Sequence, residues 1–245
     1  MRHVNECADP DAGSGKLCSC LEVLSMCRLC VAVMVLGLVW SPRMLAAPSS
    51  NVAWTIETEY LISNGDPERG QRLAYGCAAC HGTGALSVSP AYPHIDGQDA
   101  RYLFKQLQDF RDKTRHNPQM TGIAASLSEQ DMADIAVYYA ARPGPAPAKG
   151  SNHSTVVNLV RRGHGARMIP ACSGCHGSRG RGNPGYYGMP VLAGQKAVYI
   201  SIALRQYRAG DRANDVYSVM RAIAENLTDN EITALGKYYA TQDPR

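Results

Sequence analysis

The feature that most restricts what this chain can become is a five-residue spelling that occurs twice, Cys77-Ala78-Ala79-Cys80-His81 and Cys172-Ser173-Gly174-Cys175-His176. When the two are superimposed, their surroundings fall into register. Pro93…Gly97-Gln98 meets Pro190…Gly194-Gln195, Tyr102 meets Tyr199, Leu107 meets Leu204, Phe110 meets Tyr207, Arg111 meets Arg208 and Met120 meets Met220. Upstream, Gly70 falls on Gly165; downstream, Leu127-Ser128…Tyr138-Tyr139-Ala140 falls on Leu227-Thr228…Tyr238-Tyr239-Ala240. Such self-similarity means one structural plan used twice. Between the copies lies Arg142-Pro143-Gly144-Pro145-Ala146-Pro147-Ala148, whose prolines bar regular helix and favour an extended, semi-rigid spacer. The expected layout is a first domain over 48–142, a linker over 143–152 and a second domain over 153–245.

Within each copy the local signals are helical. Asp66-Pro67-Glu68 is an N-cap followed by proline at the first helical position, and this helix is expected to run into the first cysteine pair. A second helix is predicted over 99–113, with Tyr102, Leu103, Gln106, Leu107 and Phe110 on one face, and its counterpart over 196–209. Ser128-x-x-Asp131 and Thr228-x-x-Glu231 are capping-box patterns that open the last helix of each copy. No stretch reads as a strand. Only 2 Phe and 2 Trp are present, so an ordinary aromatic core would be thin unless another apolar body fills each domain.

Cys-x-x-Cys-His is the attachment sequence of c-type haem. Two thiols separated by two residues at a helix end can reach the two vinyl groups of one porphyrin, and the adjacent histidine then lies under the iron as its proximal ligand. Three other chemistries use Cys-x-x-Cys. A zinc ribbon brings its second pair within about 15–20 residues, whereas these pairs lie in separate copies. A thioredoxin-like pair belongs to a βαβ setting, which this helical sequence lacks. A disulfide within each pair leaves both histidines unexplained. Two covalently bound haems c are therefore expected, held by Cys77 and Cys80 and by Cys172 and Cys175, with His81 and His176 as iron ligands.

A sixth ligand is sought downstream. Met120 lies 39 residues after His81 and Met220 lies 44 after His176, both between the second and last helices, where a loop could fold each over the open face of its haem. Met/His coordination raises the reduction potential and leaves no vacant site, which describes a carrier and not a catalyst. Met132, Met168 and Met189 have no counterpart in the other copy, and His116 is the alternative that would give bis-histidine ligation. His94, in the Pro93 loop, is a weaker candidate. Pro93 and Pro190 are placed so that their carbonyls can accept the second ring N–H of each histidine.

Ahead of the repeat, an apolar run of twelve residues from Leu29 to Trp40, preceded by Arg28 and followed by Leu45-Ala46-Ala47, has the layout of a secretory signal peptide over 1–47. It is shorter than the roughly 20 residues that span a bilayer. Met26 is an alternative start, which would make residues 1–25 an upstream translation artefact and leave the five N-terminal cysteines, Cys7, Cys18, Cys20, Cys27 and Cys30, without function. Charge divides unevenly: residues 48–145 carry 8 Lys and Arg against 11 Asp and Glu, and residues 146–245 carry 13 against 6. Such asymmetry can orient a carrier toward its partners.

With these residues in place the chain resembles the di-haem cytochromes c4, which pair two class I cytochrome c domains of the small c553 type. The likeness covers roughly residues 65–242 and rests on both Cys-x-x-Cys-His sites, the Pro…Gly-Gln loops, the two methionines and the Tyr-Tyr-Ala endings. It departs at Pro93-His94-Ile95-Asp96-Gly97-Gln98, where the family tends to show Asn-Leu-Ala after the proline. The resemblance implies an all-α fold of two tandem cytochrome c domains. It also implies a periplasmic carrier that takes electrons from a quinol-oxidising cytochrome complex to a terminal oxidase, with loose membrane association and no nucleic-acid partner. The alternatives are a di-haem subunit of a larger assembly, or a haem enzyme of peroxidase or thiosulfate-oxidising type, which would need one open iron site.

Overall fold

The structure is a computed structural model that describes residues 50, 54–82, 87–150, 154–186 and 188–245. The leader expected over 1–47 lies outside the described residues. Eleven α-helices are described. The first copy contributes α1 (Ile56–Ser63), α2 (Pro67–Leu73), α3 (Ala78–His81), α4 (Ala100–Arg111), α5 (Pro118–Ala124) and α6 (Glu129–Ala140). The second contributes α7 (Ser154–Arg162), α8 (Cys172–His176), α9 (Ala197–Ala209), α10 (Val219–Glu225) and α11 (Asp229–Ala240). Among the described residues the only β-type pairing is an isolated bridge between His164 and Ile169.

Each copy builds its own core around its last helix. In the first, Phe104, Phe110, Met132, Ala133, Ile135, Ala136 and Tyr139 are buried together; in the second, Val156, Val160, Ile200, Leu204, Ile232, Leu235 and Tyr239 are. Burying an aliphatic or aromatic side chain of this size contributes about 1.5–3 kcal/mol each. Close helix approach depends on two glycines. A Cβ on Gly70 would lie 2.0 Å from the Asp134 carbonyl oxygen, so α2 sits directly on the backbone of α6. A Cβ on Gly236 would lie 2.5 Å from the Ala197 carbonyl oxygen, which brings α11 onto α9.

The helix starts match their sequence signals. Asp66 Oδ1 accepts from the Glu68 and Arg69 amides, Asp99 caps α4, and both capping boxes form in full at Ser128/Asp131 and Thr228/Glu231. Four expectations need correction. First, α2 stops at Leu73, and a turn over 74–77 containing Gly76, a poor helix former, separates it from the first cysteine pair. Second, α4 is buried nearly all round and not on one face. Leu103, Phe104 and Phe110 join the first core, while Lys105, Gln106 and Asp109 reach groups of the second copy. Third, the proline segment is a packed strap and not a spacer: Pro145 is buried, Ala148 N–H donates to Ala240 O at 2.8 Å, and Cβ atoms on Gly97 and Gly194 would strike Gly144 and Pro145. Fourth, Gly165 does not play the part of Gly70. It opens a 3-10 turn with open space beside it, because the second copy begins with α7 at a different register from α2.

Candidate functional site

The two pentapeptides lie on the shortest helices. In α3 the His81 amide donates to Cys77 O at 2.9 Å, which stacks Cys77 and His81 one turn apart with Cys80 between them. In α8 the same spacing runs from Cys172 to His176. Both helices are ended by a glycine at φ 75°, Gly82 and Gly177. A Cβ on Gly177 would lie 1.8 Å from Gly182 O, so no larger residue fits after the second histidine. This glycine follows the histidine in both copies, a signal present in the sequence that motif reading passed over.

No disulfide closes either repeat pair, and among the described residues no three His, Cys, Asp or Glu side chains converge as a metal site, which a zinc site would need. Burial pushes the Cys77 and Cys172 thiols above the ordinary range.

The histidines are fixed from behind. His81 Nδ1 lies 3.0 Å from Pro93 O and His176 Nδ1 lies 3.0 Å from Pro190 O. Burial pushes both imidazoles below the ordinary histidine value, against the opposing pull of the proline carbonyls. A neutral ring that donates from Nδ1 leaves Nε2 as the free lone pair, which is the state an iron ligand requires.

Met120 and Met220 stand on short helices and not in loops. Asn117 Oδ1 accepts from the Met120 amide and Pro118 occupies the first turn of α5, while Met220 is the second residue of α10. Met120 packs against the same core as Cys77, and Met220 against the same core as Cys172. The competitors are placed elsewhere. His116 is exposed, Met132 is fully enclosed in the first core at 0% exposure, and Met168 is 82% exposed. Met189 is half-buried beside Pro190. His94 is neutral, because burial and then Lys196 push it down to about 4; its Nδ1 is buried without a partner.

These residues fit a covalently held haem in each copy. In each copy the first cysteine of the pair and a methionine pack against the same apolar core, and the adjacent histidine is a neutral ring with its second nitrogen tied down. The Tyr239 hydroxyl is buried beside the Cys172 sulfur. Two helical domains built on this plan define a tandem c-type cytochrome. A cytochrome c family model matches residues 67–140 and again 164–242. Cytochrome c4 of Thiocapsa roseopersicina is 40% identical over 176 residues, covering 71% of this chain and 91% of that protein. A thiosulfate dehydrogenase electron acceptor of Stutzerimonas stutzeri (strain A1501) is 40% identical over 172 residues, 68% of this chain and 79% of that one. Among solved structures, reduced recombinant cytochrome c4 from Pseudomonas stutzeri superposes with a TM-score of 0.68 at 37% identity, covering 73% of this chain and 99% of that chain. The chain thus belongs to the cytochrome c family, as a di-haem cytochrome c4 with two covalently bound haems c and a role in electron transfer.

Proposed function

We propose that this protein is an exported, periplasmic electron carrier whose two irons are both closed by Met/His ligation, and that it passes electrons from a quinol-oxidising cytochrome complex to a terminal oxidase. The observation that carries the closed-site reading is the pairing of each Cys-x-x-Cys-His with a methionine on the same core, Cys77 with Met120 and Cys172 with Met220. On this reading Cys77 and Cys80 hold one haem by thioether bonds, and Cys172 and Cys175 hold the other. The bound group supplies reversible one-electron chemistry at iron. His81 and His176 present Nε2 toward it while Pro93 O and Pro190 O fix their rings. Met120 and Met220 would supply the thioether ligands that keep exogenous ligands out. The domain division over 48–142 and 153–245 follows the same pairing of sites with cores.

Export rests on the leader over 1–47, and no helix among the described residues is long and apolar enough to cross a membrane. The basic balance of residues 146–245 suits docking on an acidic patch of a redox partner. A second reading, in which the donor is a thiosulfate-oxidising enzyme, draws support from the likeness to the thiosulfate dehydrogenase electron acceptor.

The test is a redox titration of the mature holoprotein followed by visible absorption, with haem content measured on the same sample and carbon monoxide added to the reduced form. Two haems per chain, a ferric methionine-to-iron band and no response to carbon monoxide are expected. An iron that binds carbon monoxide would move the enzyme reading to the front. Stopped-flow reduction by a quinol-oxidising complex and by a thiosulfate-oxidising enzyme then separates the two donors.

A further inference from the structure

The two proline carbonyls that accept from His81 and His176 belong to peptide groups whose other ends are used as well. The peptide that carries Pro93 O carries the His94 N–H, which donates to Gln195 Oε1 at 2.9 Å. The peptide that carries Pro190 O carries the Val191 N–H, which donates to Gln98 Oε1 at 2.7 Å. Each glutamine closes the contact with its amide nitrogen: Gln195 Nε2 donates to His94 O at 2.8 Å and Gln98 Nε2 donates to Val191 O at 3.0 Å. The exchange is reciprocal. Gln98 of the first copy grips the proline loop of the second, and Gln195 of the second grips that of the first.

Both glutamines are interior, at 6% and 5% exposure, so water does not compete freely for these bonds. Their aim is set locally. Gly97 and Gly194 hold φ of 70° and 71° and donate to Tyr139 O and Tyr239 O, both at 2.9 Å, anchoring each loop to its own last helix while the next side chain turns outward. Each Oε1 also accepts the following amide, from Asp99 and from Lys196, at 2.9 Å.

We propose that Gln98 and Gln195 are cross-copy positioning residues: each sets the electron richness of the histidine in the opposite half, and through it that half's haem potential. This rests on the reading of His81 and His176 as iron ligands. The physical chain is short. Accepting from a peptide N–H polarises that peptide, and its carbonyl oxygen becomes a better acceptor. A stronger acceptor at Nδ1–H gives the ring more imidazolate character, which makes it a more basic ligand and favours the ferric state. Removing Gln195 should therefore raise the potential of the haem at His81, and removing Gln98 that of the haem at His176.

The experiment uses the holoprotein with Gln195→Met, Gln98→Met and Gln195→Glu. Each haem is followed separately by its methyl resonances in an NMR redox titration, together with the Nδ1–H resonances of His81 and His176. The expected result is crossed. Gln195→Met shifts the one-electron equilibrium of the first-half haem by about threefold toward reduction, about 30 mV at about 59 mV per tenfold, and leaves the second-half haem in place. Gln98→Met does the reverse. Gln195→Glu keeps an oxygen acceptor facing the His94 N–H and returns the first-half potential to or below the wild-type value. Unchanged potentials, equal shifts at both haems, or a shift confined to the glutamine's own half would each overturn the proposal and leave the glutamines as structural clamps. The wild-type spectra are a separate check. If His81 and His176 show no paramagnetic shift from bound iron, it is the ligand reading that fails.

Discussion

Lys105 Nζ lies 2.5 Å from Asp109 Oδ2 in the interior of the molecule, with the two side chains 6% and 1% exposed. Asp109 is the hub of this cluster. It also accepts from Asn214 Nδ2 at 2.7 Å, Ser50 Oγ at 2.6 Å and Thr114 Oγ1 at 3.0 Å, while Lys105 donates to Asn214 O at 2.6 Å. The two partners are therefore unequal. Asp109→Leu removes the counter-charge of a buried ammonium and the acceptor shared by three other donors, and is expected to cost about 3–5 kcal/mol. Lys105→Met leaves the carboxylate with three donors, so a smaller loss is expected. Urea unfolding of the two variants and of the double variant measures both the difference and the coupling.

The same seam carries a mirrored pair of contacts. Arg115 donates to Tyr199 Oη at 3.2 Å and stacks on Phe110, while Arg212 donates to Tyr102 Oη at 3.1 Å and stacks on Tyr207. Both arginines also share Gln106 Oε1, at 2.7 and 3.0 Å. These polar groups explain why the one-faced pattern of α4 in the sequence understates its burial. Lys105 and Asp109 look like a solvated face until a second domain is laid on them.

Gly70 and Gly165 match in sequence and differ in surroundings, which makes them a controlled pair. A methyl at Gly70 meets backbone, the Asp134 carbonyl at 2.0 Å, and backbone cannot step aside as a flexible side chain can. Gly70→Ala is expected to destabilise by about 3 kcal/mol or more. Gly165→Ala meets nothing within 4 Å and should stay within about 0.5 kcal/mol of wild type. Thermal melts of the two holoproteins decide the matter.

Acid should loosen the last helix through Glu231. Its contacts with Arg167, at 2.7 Å, and with the Thr228 amide hold the carboxyl down to about 2, below the roughly 4.3 of an unfolded chain. The folded pKa is depressed, so the stabilisation is fully present above the unfolded value and is lost as pH falls through about 2. Glu231→Gln should melt below wild type at pH 6, and the gap should shrink steadily between pH 5 and pH 2. A gap that stays constant with pH would remove the ion pair from the explanation.

Much of the fold was legible because its signals are local. Asp66-Pro67, Ser128-x-x-Asp131 and Thr228-x-x-Glu231 each specify a helix start through a side chain bonding its own first turn, and each cap formed. Haem attachment was legible because Cys-x-x-Cys-His carries its chemistry in five residues. The paired glutamines stood in the repeat as Gly97-Gln98 and Gly194-Gln195 with no role, because their partners, His94 and Val191, lie 101 and 93 residues away in sequence. The proline segment misread for a similar reason. Its composition bars helix, but only the docked halves show that Pro145 is buried between them.

His116 and Met120 stand four residues apart and compete on paper for one iron, and their surroundings separate them. Met120 rests on the first core with Cys77, its amide held by Asn117 Oδ1 at 3.0 Å, whereas His116 is exposed before the α5 cap. Met120→Ala should open the first-half iron. The ferric methionine band should fall by about half, one carbon monoxide should bind per reduced chain, and the first-half potential should drop as the thioether is lost. His116→Ala should leave all three readouts at the wild-type value. The reverse pattern, with His116→Ala opening the iron and Met120→Ala silent, would assign bis-histidine ligation and a lower potential to the first haem.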